Sequence, residues 1–189
     1  MHFGGPKNVI TLHTGMIYEK KSCQSFVTLS DNNCHEPEAI WVHLIPVIKM
    51  AKELFPELQV IHFFSDGPCS QYRQKKNFYL INMFTTKLDL SYTTWSFSES
   101  GHGKGVADGI GGAVKRALDR RVAYGHDIID ASDACHNLNK CMESVECIYI
   151  PESEISNIKS LLPKTLKAVP GTMQIHQIAS KKWRKPHIV

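Results

Sequence analysis

The sequence predicts a single α/β domain, and three observations carry that class. The run Val60-Ile-His-Phe-Phe-Ser-Asp-Gly-Pro-Cys-Ser-Gln-Tyr72 is β-branched and aromatic until it stops at an aspartate and a turn, which reads as a buried strand. Segments of strand-like apolar character alternate with segments whose apolar residues recur at helical spacing. A length of 189 residues, with 42% hydrophobic and 21% charged, suffices for one well-filled core, and no shift in composition marks a second domain. Within it the chain divides into a core over 8–124, an extension over 125–178 and a basic tail over 179–189.

Each element has its own warrant. Asn8 to Tyr18 is strand-like, Lys20-Lys21 marks a hairpin turn, and Ser22 to Leu29 supplies a second strand ended by Ser30-Asp31-Asn32-Asn33. From Pro37 the period changes. Ile40, Leu44, Val47, Ile48, Ala51 and Leu54 fall at helical spacing, with Glu36 and Glu38 placed to favour the helix start. Pro46 predicts a kink and Pro56 a stop. Val60 to Phe64 is the next strand, and Asp66 sits at its C-terminal end, the edge where open α/β sheets bind ligands. Gly67-Pro68 turns the chain, and Ser70-Gln71 opens a helix over Cys69 to Phe84 with Tyr72, Tyr79, Leu80 and Met83 on its apolar side. Arg73, Lys75 and Lys76 cluster near its start, where positive charge opposes the macrodipole and a nearby anion would relieve the conflict. Leu88 to Phe97 forms another strand. A glycine-rich basic loop leads to a helix from Asp108 to about Tyr124, burying Ile110, Val114, Ala117, Leu118 and Val122, with Gly125 as its C-terminal cap. Lys115, Arg116, Arg120 and Arg121 occupy its other face. Asp127 to Met142 and Ser153 to Leu162 read as helices, Cys147 to Ile150 and Thr172 to Ile178 as short strands.

A net charge of +4 and a pI near 8.7 permit a polyanionic partner without demanding one. No apolar run approaches the roughly 18 residues of a membrane span, and Met1-His-Phe-Gly-Gly-Pro lacks the apolar core of a signal peptide, so a nuclear or cytoplasmic address and no membrane partner are expected. Cys135, Cys141 and Cys147 recur at a spacing of six, and Cys34-His35 and Cys135-His136 offer mixed ligands. None forms a C-x2-C pair, so the spacing speaks against zinc and for reduced thiols. Lys181-Lys-Trp-Arg-Lys185 reads as a solvated basic tail first, and as a nuclear-import or nucleic-acid contact second.

The order strand, strand, helix, strand, helix, strand, helix resembles the RNase H-like fold, a mixed sheet covered by helices, here lacking its first strand. The residues carry a closer resemblance. Thr11-Leu-His13, Leu29-Ser-Asp-x-x-x-His35, Phe64-Ser-Asp-Gly-x-x-Ser-Gln-Tyr72, His102-Gly-Lys-Gly-x-x-Asp-Gly-x-Gly-Gly-x-Val-Lys-Arg116 and Val169-Pro-Gly-Thr172 occur in order across Val9 to Ile178. Together they are similar to a family of uncharacterised, transposon-derived proteins related to DDE-type transposases. The resemblance implies metal-dependent phosphodiester chemistry on DNA, in which two divalent ions, Mg2+ or Mn2+, hold the scissile phosphate between carboxylates. Asp66 and Asp108 are the implied ligands, and His102 the group that orients or shuttles a proton. Lys104, with the amides of Gly103 and Gly105, is placed to contact a phosphate, and Lys115, Arg116, Arg120 and Arg121 to extend that contact. Ser70 and Gln71 accompany Asp66, while Asp31, His35 and Glu36 read as turn and cap residues first and auxiliary ligands second.

Each site residue also has a structural reading. Asp66 suits the cap of a helix beginning at Cys69, and Asp108 the N-cap of its own helix. Gly101, Gly103 and Gly105 suit a tight turn, and the basic helix a solvated face. Members of the family carry an upstream segment with an Asp-Phe-x-Glu-Asn-like motif, taken as the first strand and first acidic ligand, whereas this chain enters at the second strand. The resemblance therefore implies a truncated, inactive copy with weak metal binding and unpaired sheet edges open to self-association. The alternative is a non-enzymatic nucleic-acid-binding remnant using the basic helix 110–124. A haloacid-dehalogenase-type reading of Ser65-Asp-Gly lacks its nucleophile, because Phe64 stands at the first aspartate position, and Lys104-Gly-Val106 lacks the Ser or Thr of a P-loop.

Overall fold

The structure is a computed structural model that describes residues 9–68, 71–98 and 105–182. It is a mixed α/β arrangement with two three-stranded mixed sheets and five α-helices among the described residues. The chain forms two compact units, Met1–Cys34 with Lys104–Ser156, and His35–Gly103 with Asn157–Val189. Composition does not mark this division, because each unit joins segments distant in sequence. No helix among the described residues is long and apolar enough to cross a membrane.

In the first unit β1 (Thr11–Tyr18) and β2 (Cys23–Ser30) form the expected hairpin, closed by the Glu19 N–H donating to the Ser22 carbonyl at 2.9 Å. β5 (Val145–Tyr149) pairs parallel with β2, giving the order β1-β2-β5. As the middle strand β2 is the most deeply buried, with Val27 and Leu29 fully enclosed. Against it pack α3 (Val106–Ala123) and α4 (Ala131–Cys141), whose Ile110, Val114, Ala134 and Leu138 complete one hydrophobic cluster. Gly125 ends α3 in the left-handed region at φ 84°, where a side chain would be strained, and the His126 N–H bonds back to the Arg121 carbonyl at 3.1 Å. α5 (Glu152–Leu161) leads from this unit into the second.

The second unit holds α1 (Pro37–Leu54), β3 (Val60–Ser65), α2 (Lys75–Lys87), β4 (Tyr92–Phe97) and β6 (Gln177–Lys181). β3 and β4 are parallel, β6 antiparallel to β4. Its core is aromatic: Trp41 stacks on Phe84 at 4.9 Å between centroids and meets Trp95 edge-on at 5.9 Å, while Tyr72 and Phe63 close on Trp95. The indole N–H of Trp41 donates to Asn77 Oδ1 at 2.8 Å, and Asn77 in turn donates to the Tyr72 carbonyl at 2.9 Å, so no buried polar group of this set is left over.

Several expectations are corrected. Val60 to Phe64 is not a buried strand but an edge: β3 pairs only with β4 among the described residues, its exposure alternates, and Phe64 is 77% exposed. The second helix begins at Lys75 rather than Cys69, because the Gln71 and Tyr72 N–H groups both bond the Pro68 carbonyl in a turn and Gln74 is extended. β4 starts at Tyr92, not Leu88, since Asp89 adopts a positive φ of 53° and Leu90 bonds back to Thr85. Thr172 to Gln174 is a 3-10 turn behind left-handed Gly171, and the strand follows it, so Lys181 belongs to β6 and Lys182 pairs with Asp89 instead of joining a solvated tail. α1 is helical through Pro46, and Leu54 and Val122 face solvent.

Within the first unit His13 sits edge-on to Phe26 at 6.4 Å, and burial lowers its pKa to about 4. The unfolded chain takes up a proton near pH 6.5 that the folded chain refuses until about pH 4. Stability should therefore be full above pH 6.5 and fall by roughly 2–3 kcal/mol on acidification toward pH 4. Urea unfolding of wild type and His13→Gln at several pH values checks this, and the variant should lose that share of the acid sensitivity.

Candidate nucleic-acid interface

Alternation around α3 sorts its cations into different environments. Ile110, Val114 and Ala117 turn to the core, which puts Lys115, Arg116 and Arg120 outward. Arg121 departs from the expectation of a free basic face: its Nε donates to Asn137 Oδ1 at 3.0 Å, so it ties α3 to α4. Arg116 and Arg120 instead line an open groove of about 500 Å3 with Lys140, Cys141, Met142, Glu143 and Ser144 from the end of α4 and the turn before β5. Its lining holds three cations and one carboxylate, Glu143, while Asp119 lines a second hollow together with Arg116 and Arg120. Arg116 lies back along its own helix, because a Cβ at Gly112 would stand 3.2 Å from its Nη1. Lys115 is exposed but does not line the groove. Lys140 was invisible as a site residue, since its nearness to α3 depends on the α3–α4 packing.

Asp108 acts structurally at the head of α3. It is the N3 residue, not the N-cap, and its Oδ2 accepts the Gly105 N–H at 3.3 Å in a capping-box arrangement. Asp31 likewise serves the unit's architecture: its Oδ1 accepts the Ala131 N–H at 2.7 Å at the start of α4, beside the Asp130 cap on Asp133 N at 2.8 Å. Burial raises the Tyr149 pKa, and the charges of Asp31, Asp130 and Glu152 add to it.

In the second unit Asp66 is exposed just past β3. Parallel pairing sets Ser65 beside Ser98, whose N–H donates to the Ser65 carbonyl at 2.8 Å. Arg73, only 9% exposed, fastens this end: Nη2 donates to the Ser98 carbonyl and Nη1 to the Met173 carbonyl, both at 3.1 Å, and its guanidinium lies 5.4 Å from the Phe97 ring centre. Gly67 is required there, because a Cβ would fall 2.4 Å from Arg73 Nε. Burial first, and the charge of Asp66 second, push the Tyr72 phenol up to about 12. Gln71 lies in the turn after Pro68, and His35 is exposed.

The basic cluster before α2 is answered within the chain. Lys76 pairs with Glu36 and, at 2.9 Å, with Glu38, which is 2% exposed; Lys75 donates to the Leu166 carbonyl at 3.1 Å. Burial works against the Lys76 charge, but the hydrogen bonds to both carboxylates outweigh it and raise its pKa, and the Lys76 hydrogen bond holds Glu36 below the usual carboxylate range. Glu36 thus has a lysine partner, and Glu38 emerges as the deeper acidic residue that its position near a helix start did not single out.

Asp66 and Asp108, the expected metal ligands, belong to different units, and Asp108 is engaged in capping α3. Ser70, His102 and Lys104 lie outside the described residues. Among the described residues no three His, Cys, Asp or Glu side chains form a group able to hold a metal ion. Cys135 and Cys147 are buried free thiols, and burial pushes Cys147 up to about 12.

Lys76→Met should cost about 3 kcal/mol, because Glu38 would keep a buried charge without its cation, and adding Glu38→Gln should restore more than half. Urea unfolding followed by tryptophan emission checks both, since Trp41 and Trp95 report on the same unit.

The chain belongs to the family described as domain of unknown function DUF8701, whose model matches residues 1–186. No curated protein and no solved structure matches it.

Proposed function

We propose that this member of the DUF8701 family is a nucleic-acid-binding domain of RNase H-like, transposase descent, and that it grips the phosphate backbone of DNA through the groove beside α3. The observation that carries the reading is the groove itself: Arg116, Arg120 and Lys140 converge from two elements on one open channel, with Glu143 as the single carboxylate in its lining. Solvated helix faces scatter their charges, whereas a channel with three cations on its walls suits a chain of phosphates spaced along a strand. A net charge of +4 adds a mild attraction at longer range. Descent is supported by the hairpin β1–β2, by the parallel pair β3–β4 linked through α2, and by the single ladder at β1 and at β3, which leaves each with an edge where an RNase H-like sheet would add a strand.

Metal-dependent phosphodiester chemistry is the second reading. It rests on Asp66, which stands exposed where the parallel strands β3 and β4 end, the usual place for ligands in α/β sheets. Thermal melting in Mn2+ or Mg2+ separates the two readings. A rise present in wild type and absent in Asp66→Asn supports a metal site, and no difference leaves binding alone.

Backbone binding should be steeply salt dependent. Fluorescence anisotropy of a labelled duplex should give a log K that falls linearly with log[salt], by about 0.9 for each phosphate neutralised. The triple variant Arg116→Gln, Arg120→Gln, Lys140→Gln should flatten that slope by roughly 2–3, whereas Arg121→Gln should leave the slope unchanged and lower stability instead. An unaltered slope in the triple variant refutes the groove as the interface.

A further inference from the structure

β3 offers a free edge that is complementary to itself. Ser65 gives its carbonyl to Ser98 and Gln59 gives its carbonyl to Tyr92, so the odd-numbered positions along this stretch turn their backbone groups toward β4. Backbone direction alternates along a strand, and the N–H and C=O groups of Val60, His62 and Phe64 therefore point to the open side. Among the described residues no strand pairs there. The same three residues present their side chains on the outer face, where Val60 is 41% and Phe64 77% exposed. Of the protections an edge strand can carry in its own sequence, Val60–Ser65 has no Lys, no Pro and no break in its register with β4.

We propose that β3 pairs antiparallel with β3 of a second copy of this chain, about a two-fold axis at His62. Val60-Ile-His-Phe-Phe64 is symmetric in apolar character about that histidine. With His62 opposite its own counterpart, Val60 lies opposite Phe64 of the second copy and Ile61 opposite Phe63. All three sets of outward backbone groups then find partners, in three hydrogen-bonded pairs. Each exposed Phe64 covers an exposed Val60, an aromatic and β-branched pair of the kind that stabilises strand pairing. A slip of one residue would bring the inward side chains to the outer face, and a slip of two toward the C-terminus would set Asp66 against Val60 and lose part of the pairing. The His62 ring is held by Thr94 Oγ1 at 2.7 Å, which draws it toward β4 and away from the axis. A second copy is the occupant because only an identical strand satisfies this symmetry in full, and the result is one continuous six-stranded sheet. An edge of six residues buries much less than the roughly 1,600 Å2 of a standard interface, so association is weak and depends on concentration. The proposal stands independently of nucleic-acid binding.

Sedimentation velocity over a concentration series should show a reversible dimer in wild type, weakened about tenfold or more by Phe64→Lys, a change at an exposed position that removes no core contact. Mild oxidation tests the register. Val60→Cys/Phe64→Cys should crosslink between copies well beyond wild type, because paired Cα atoms lie about 5.5 Å apart. Phe64→Cys alone should not, because its two copies would stand about 14 Å apart, beyond the roughly 7 Å reach of a disulfide. A wild type that sediments as a monomer throughout, a double variant that does not crosslink, or a single variant that crosslinks as well as the double each overturns the proposal.

Discussion

The parallel ladder between β3 and β4 is the constraint on which the second unit depends. It aligns Ser65 with Phe97, brings the Ser98 N–H to the Ser65 carbonyl, and so fixes where Asp66 and Gly67 leave the sheet. Arg73 then reaches the Ser98 and Met173 carbonyls only because Gly67 leaves it room. The same ladder orients the other side of β3. With the odd-numbered carbonyls spent on β4, the even-numbered backbone groups face outward, and the strand's apolar symmetry about His62 runs along an edge that no other described strand pairs.

Two buried polar connections keep that unit specific. Trp41 and Asn77 join α1 to α2 inside an aromatic core, where an unpaired indole or amide would cost about 1–3 kcal/mol. Glu38 and Lys76 join the same two helices at their N-terminal ends, and the charge that would oppose the α2 macrodipole is neutralised by residues from α1.

α3 shows how one helix divides its labour. One face buries Ile110, Val114 and Ala117, Asp108 closes the first turn, and Arg121 joins α4 through Asn137. Only Arg116 and Arg120 then remain beside the channel completed by Lys140. A row of four cations in sequence thus resolves into two that line the channel, one that is structural and one that faces open solvent.

The sequence by itself determined the class, the hairpin, the order of helices and strands, the Gly125 terminus and the basic character of α3, because these depend on local periodicity, turn chemistry and capping. What only the tertiary structure decided was which strands pair. That pairing made Val60 to Phe64 an edge instead of a buried strand, delayed α2 to Lys75 so that Tyr72 could enter the aromatic core, and divided the chain into two units built from non-contiguous segments. It also brought Lys140 to α3 and took Arg121 out of the basic face. The physical reason is common to all of these. Hydrogen bonding along a strand edge and packing between helices join residues tens of positions apart, and an apolar strand reads alike whether one or both of its edges are covered.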